Sequence, residues 1–76
     1  MRTTKVNRSA RNLRKTLDAT AANNEAAAVD VMRAIDLLGD ELLRQRLLGV
    51  VHRLNQDASD LRQARDDVSG ALMKLA

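Results

Sequence analysis

The sequence predicts an all-α protein: an antiparallel two-helix hairpin, coiled-coil-like, that assembles into a four-helix bundle or a larger helical assembly. The 76 residues include twelve alanines and twelve leucines but no proline and no aromatic residue, and this composition favours helices over strands. Apolar residues recur at heptad spacing in both halves of the chain. The heptad phase breaks at Gly39, near the midpoint, where a helix pair would turn.

The first helix is predicted over about residues 4–38. Its heptad a and d positions alternate by three and four residues, as in a coiled-coil seam. The a positions are Thr3, Ala10, Leu17, Asn24, Val31 and Leu38, and the d positions are Val6, Leu13, Thr20, Ala27 and Ala34. Thr3 or Thr4 is a candidate cap, because a hydroxyl can accept a hydrogen bond from a first-turn amide.

The turn is predicted at residues 39–40 and the second helix at 41–75, within a single unit of residues 1–76. Gly39 suits the left-handed conformation that ends many helices, and Asp40 can cap the helix that follows. The second helix has a and d positions at Leu47, Leu54, Leu61, Val68 and Leu75, and at Leu43, Val50, Asp57, Ala64 and Ala71.

Folding about the turn aligns positions whose numbers sum to about 79, and this alignment brings opposite charges together. The predicted ion pairs are Arg11–Asp67, Arg14–Asp66, Asp18–Arg62, Glu25–Arg53 and Asp36–Arg44. Exposed pairs of this kind bias the register but do not hold a fold together. In this register the acids near the C-terminus partly neutralise the charge of the basic N-terminus.

The apolar stripe is wider than one two-helix seam requires, because the e positions Ala21, Ala28, Ile35, Val51, Ala58 and Leu72 are apolar too. A face of this width is typical of a helix with two neighbours. We therefore expect a homo-oligomer, or a heteromeric helical partner instead. The predicted assembly face comprises Leu13, Leu17, Val31, Ile35, Leu38, Leu43, Leu47, Val50, Leu54, Leu61, Val68 and Leu75.

Two polar residues fall within these seams, Asn24 at an a position and Asp57 at a d position. A polar layer can fix register and oligomeric state at some cost in stability. Asn24 and Asp57, with Thr20 nearby, are predicted to form such a layer. In the alternative interpretation the bundle frays there and both side chains reach water.

The charge is unevenly distributed. Residues 1–17 carry six basic residues and no acid, whereas the net charge of the whole chain is +3. A basic cluster attracts phosphate or an acidic partner, so Arg8, Arg11, Arg14 and Lys15 are candidate phosphate-binding residues. The second functional hypothesis is therefore a small dimeric nucleic-acid-binding protein. The alternative is a frayed, solvated N-terminus.

The sequence does not predict an enzyme, a cofactor or a metal site. His52 is the single histidine, the chain has no cysteine, and the adjacent Asp66 and Asp67 would diverge by about 100° on a helix. No apolar run approaches the roughly 18 residues of a membrane span. The N-terminus lacks the apolar core of a secretory signal. We expect a cytoplasmic protein, or one exported without a cleaved signal peptide.

In shape, the predicted hairpin is similar to three groups of small helical proteins. The secreted hairpins of type VII secretion carry Trp-x-Gly at the turn, where this chain has Leu37-Leu38-Gly39. The needle subunits of type III secretion are hairpins with a proline-bearing turn, and this chain has no proline. RNA-binding hairpin dimers form four-helix bundles. The similarity covers the whole chain but rests on no shared motif, so it assigns the chain to none of these families. We expect a non-enzymatic structural subunit or interaction module, of the kind found in a secretion or virion-like assembly.

Overall fold

The protein is an antiparallel hairpin of two long helices, as predicted. The computed structural model describes the backbone of residues 2–75 and the side chains of residues 7–74. Helix α1 spans Arg2–Asp36 and α2 spans Glu41–Leu75, and the two pack against each other along their length. The Cα atoms fill a rod of 59 × 14 × 11 Å.

The turn between the helices differs from the predicted one. Helix α1 ends at Asp36, and the amides of Leu37 and Leu38 donate to the carbonyls of Ala34 and Ile35, both at 3.1 Å. These i→i−3 bonds tighten the last turn and satisfy carbonyls that a helix end leaves unpaired. No glycine in the described chain has a positive φ, so the predicted left-handed Gly39 is wrong.

Asp40 caps α2, as predicted. Its carboxylate Oδ1 accepts a hydrogen bond from the Leu43 amide at 3.0 Å, and its carbonyl accepts from the Arg44 amide at 2.9 Å. The acidic Glu41 in the first turn also complements the helix dipole. At the other end of the hairpin, α1 begins at Arg2, so Thr3 and Thr4 lie inside it. Their side chains are outside the described residues, so neither cap is tested.

We expect Asp40→Ala to lower the free energy of unfolding by about 1 kcal/mol, because the Leu43 amide loses its acceptor. Asp40→Asn keeps an acceptor oxygen and should restore most of that loss. Urea unfolding followed by circular dichroism, at one protein concentration, measures both. Equal stability of the alanine variant and the parent chain would contradict the capping role.

The two helices meet through their a and e positions, not through the predicted a and d positions. The fully buried residues among those described are Ala21, Ala28 and Ile35 of α1 and Ala58 of α2, all at e positions. The a positions between them are half-buried. By contrast, Leu13 and Leu43, at d positions, are 50% and 42% exposed.

The physical reason lies in heptad geometry and residue size. The d and e positions lie about 50° to either side of the a stripe, so an apolar a stripe allows either seam. The e positions Ala21, Ala28 and Ala58 are alanines, which let the helix axes approach closely. That close approach puts e inside the hairpin and leaves d on its surface.

The hairpin exposes a large surface for its size. Its solvent-accessible area is 5904 Å², whereas a compact monomer of 8.4 kDa would expose about 4,600 Å². Ile35 is the one large side chain that is fully buried among the described residues, and the large apolar residues of the a stripe are half-buried, so a single hairpin leaves part of its apolar surface in water. The excess surface is apolar in part, and its position on the hairpin defines the candidate site.

Candidate functional site

One long side of the hairpin is an apolar surface formed by the d positions of both helices, which we call the d face. On each helix the d positions lie on the opposite side of the seam from the residues that form the ion pairs between helices. Because those ion pairs join one side of α1 to one side of α2, the d positions of both helices share the other side. The d face comprises Leu13, Thr20, Ala27, Ala34, Leu43, Val50, Asp57, Ala64 and Ala71.

Most of the d face is accessible to solvent. Val50 and Ala64 are half-buried, and the other d-face residues are exposed. Of this set, the predicted assembly face includes only Leu13, Leu43 and Val50. Thr20 and the alanines are outside it, because a small side chain contributes little to an apolar pattern. Their shared d position was the signal that could have identified them.

The other predicted assembly residues lie in the seam of the hairpin itself. Ile35 is buried there, and the others whose side chains the structure describes are half-buried. This half-buried group consists of Leu17, Val31, Leu38, Leu47, Leu54, Leu61 and Val68. The side chain of Leu75 lies outside the described residues.

The two predicted register residues occupy different environments. Asn24 is half-buried in the seam, whereas Asp57 is exposed on the d face. Both line a shallow groove of about 330 Å³ with Asp60, Leu61 and Ala64, but no hydrogen bond joins them among the described side chains. Within one hairpin, therefore, Asp57 is not a seam residue, and its role in fixing register stays a prediction.

The side opposite the d face carries the ion pairs between helices. The Arg62 guanidinium donates two hydrogen bonds to the Glu25 carboxylate, both at 2.7 Å. Arg65 donates to Asp18 at 2.5 Å and to its neighbour Asp66 at 3.0 Å. This side therefore carries paired charges at its centre and, beside them, the exposed apolar side chains of Val29, Met32 and Leu48.

The predicted ion pairs are absent from the described side chains, and the observed partners lie further along α2. Helical side chains lean toward the N-terminus of their own helix. In an antiparallel pair, an α1 side chain therefore leans away from the turn and an α2 side chain leans toward it. An acid such as Glu25 consequently meets Arg62, not Arg53, because the predicted register ignored this lean.

The ion pair of Glu25 and Arg62 changes the protonation of both groups. The two hydrogen bonds from Arg62 lower the pKa of the Glu25 carboxyl below its ordinary value of 4.5, against the smaller opposing effect of desolvation. The same bonds raise the pKa of Arg62. The hydrogen bond that Arg65 donates to Asp18, and to a smaller extent the one that it donates to Asp66, raise the pKa of Arg65.

We expect this pair to make stability depend on pH. A carboxyl whose pKa is lower in the folded state stabilises the fold above its unfolded pKa, and this contribution is lost as the pH falls through the folded pKa. The difference in unfolding free energy between the parent chain and Glu25→Gln should therefore shrink as the pH falls from about 6 to about 3. Urea unfolding across that range measures it, and the same Glu25→Gln change made in an Arg62→Gln background, where the carboxyl has lost its partner, is the control. A difference that stays constant with pH would contradict the pairing.

A second candidate site is a basic groove on α1 near its N-terminus. The groove has a volume of about 380 Å³ and is lined by Asn7, Arg8, Arg11, Asn12, Arg14 and Lys15. It brings together the four basic residues that the sequence analysis singled out, and all four are exposed. The Oδ1 atom of Asn7 is buried and accepts no hydrogen bond within the described residues.

The bases of this groove are not paired with the acids of α2. No described carboxylate lies within ion-pair distance of Arg8, Arg11, Arg14 or Lys15, so the predicted contacts to Asp66 and Asp67 are wrong. Asp66 instead binds Arg65, and Asp67 accepts a hydrogen bond from Gln63 at 3.3 Å. The groove therefore presents four bases whose charge is available to an anion.

The remaining candidates from the sequence do not form a chemical site. His52 is exposed, and no three His, Cys, Asp or Glu side chains within the described residues are grouped to hold a metal ion. Neither described helix has a stretch long and apolar enough to cross a membrane. Comparison with known proteins found no matching family model, no similar curated protein and no similar solved structure.

Proposed function

We propose that the protein is a non-enzymatic, self-associating helical hairpin that serves as a structural subunit or interaction module, of the kind that builds secretion or virion-like assemblies. The observation that carries this proposal is the d face, which leaves apolar side chains of both helices exposed along one side of the rod. Exposed apolar side chains that share one side of a protein are typical of interaction sites, and on the d face the polar Thr20 and Asp57 interrupt them only at mid-length. Under this proposal the protein acts in the cytoplasm, or is exported without a cleaved signal peptide.

The exposed area supports self-association. The hairpin exposes about 1,300 Å² more than a compact monomer of its mass would. A standard protein interface buries about 800 Å² on each partner. One partner covering the d face would therefore bring the exposed area near that of an ordinary globular protein.

Size-exclusion chromatography with light-scattering and refractive-index detection tests the proposal, at low and high salt. Refractive index is needed because the chain has no tryptophan, tyrosine or phenylalanine and hardly absorbs at 280 nm. We expect an oligomer of defined mass that does not change with salt and carries no absorbance at 260 nm. A monomer of 8.4 kDa at all concentrations would contradict self-association and direct the search to a heteromeric helical partner.

A second candidate function is the binding of nucleic acid, favoured by the four bases of the groove, which pair with no carboxylate among the described residues. Contacts from arginine and lysine to phosphates are independent of sequence and weaken as salt rises. In that case the purified protein should carry absorbance at 260 nm that separates from it at high salt. Changing Arg8, Arg11, Arg14 and Lys15 to glutamine should then abolish binding and leave the oligomer intact. Changing Arg33, Arg44, Arg46 and Arg53 instead provides a control with the same loss of charge.

A further inference from the structure

We propose that the d face binds a second copy of this chain, with the turns of the two hairpins at the same end, so that α2 of each copy lies antiparallel on α1 of the other. This arrangement is a four-helix bundle with a two-fold axis along its length, and it buries the same surface on both copies. The inference rests on the proposed self-association and specifies its surface and geometry.

Side-chain sizes along the d face are complementary between the two helices. From the turn toward the chain ends, the α2 residues decrease in size, whereas the α1 residues increase. The α2 order is Leu43, Val50, Asp57, Ala64 and Ala71, and the α1 order is Ala34, Ala27, Thr20 and Leu13. Pairing them in this order sets large against small at both apolar ends, as in a well-packed core.

The middle of the face decides the orientation. With the turns at the same end, Asp57 of one copy lies opposite Thr20 of the other and near its half-buried Asn24. A hydroxyl and a carboxamide can donate hydrogen bonds to that carboxylate, which would form the predicted polar layer between copies. With the turns at opposite ends, large residues also meet small ones, but Asp57 meets Asp57 of the other copy.

Two ionised carboxylates that face each other in an interface repel. The opposite-end arrangement would gain rim contacts of Arg46 with Asp67 and of Arg53 with Asp60, but exposed ion pairs stabilise little. The same-end arrangement avoids the repulsion and sets Arg53 opposite Asp30 of the other copy, at the spacing of the Asp18–Arg65 pair within the hairpin. Rim ion pairs stabilise little in either arrangement, so the repulsion between the two Asp57 carboxylates decides for turns at the same end.

Matched leucine variants test the surface. Leu43, on the d face, and Leu48, on the opposite side of α2, are both 42% exposed, and Leu13 and Met32 of α1 are 50% and 41% exposed. We expect Leu13→Gln with Leu43→Gln to weaken dimerisation at least about 100-fold, because the two-fold axis applies each change twice. Met32→Gln with Leu48→Gln should change it less than about threefold. Sedimentation equilibrium measures both dissociation constants, and circular dichroism monitors helicity.

A spin label at Leu42→Cys tests the orientation, since the chain has no other cysteine and Leu42 lies 65% exposed beside the turn. With the turns at the same end, pulsed electron paramagnetic resonance should give a distance below about 35 Å across a four-helix bundle. With the turns at opposite ends, the labels would lie on the order of 50 Å apart, the length of a 35-residue helix.

The outcomes separate the surface from the broader proposal. A parent chain that stays monomeric overturns both the proposed function and this inference. A parent chain that dimerises, with equal effects from the two double variants, overturns the d face alone. A distance near 50 Å overturns the same-end arrangement and leaves the d face standing.

Discussion

Ile35→Ala should lower the free energy of unfolding by about 2–5 kcal/mol. Ile35 is 2% exposed and is the bulkiest fully buried side chain among the described residues; the other three are alanines. Its removal leaves a cavity between two long helices, which relax into it only in part. Urea unfolding at fixed protein concentration, followed by circular dichroism, measures the loss.

Two controls isolate the effect of burial. Ile35→Val removes one methylene group and should cost about 0.5–1.5 kcal/mol. Val29→Ala removes a branched side chain that is 50% exposed and should change stability by less than about 0.5 kcal/mol. A loss at Val29 equal to that at Ile35 would show that the e positions do not form the seam.

Ala28→Leu should also destabilise the protein, by about 1–3 kcal/mol. Ala28 is 3% exposed and allows the helix axes to approach closely, so a leucine there must push them apart or adopt a strained rotamer. The matched control is Ala26→Leu, two residues away on the exposed side of the same helix. Because alanine and leucine have similar helix propensities, the control should be nearly neutral. Thermal unfolding of both variants at one concentration gives the comparison.

The result also tests the choice of seam. If the d positions formed the interior of the hairpin, Ala28 would tolerate leucine. A stable Ala28→Leu variant with parental helicity would therefore contradict the observed packing.

The sequence specifies the fold through local properties. Helix-favouring residues, the absence of proline, and Asp40 at the start of α2 act within a few residues of one another, so the hairpin and the cap follow from them directly. The end of α1 does not follow in the same way. Helix α1 can end either through hydrogen bonds from the Leu37 and Leu38 amides to the preceding turn or through a left-handed Gly39. The sequence does not show which of these two helix ends is the more stable.

The seam could not be deduced from the pattern, because alanine is compatible with either side of the a stripe. At Ala27 and Ala28 the chain offers identical side chains at d and at e, and the structure buries Ala28 and exposes Ala27. The close approach of the two backbones determines that the e position is buried and the d position exposed. This approach depends on the whole seam and cannot be read from any single residue. The predicted ion pairs are wrong for a related reason. The direction in which the side chains of Glu25 and Arg62 lean along their helices is a three-dimensional property that the sequence pattern does not contain.

The basic groove was predicted in composition but not in accessibility. Arg8, Arg11, Arg14 and Lys15 are evident from the sequence, yet whether acids of α2 neutralise them depends on the register. Asp66 forms its ion pair with Arg65 and not with Arg14. The four bases of the groove are therefore exposed to solvent.

Because the basic groove lies near one end of the hairpin, the two ends of the rod differ in their chemistry. An anion that binds Arg8 and Lys15 holds the molecule near one extremity, and the turn lies toward the other end of a body 59 Å long. Leu37 and Leu42, 87% and 65% exposed, stand at that far end. Binding of an anion in this groove would therefore leave Leu37 and Leu42 exposed at the end of the rod away from the bound anion.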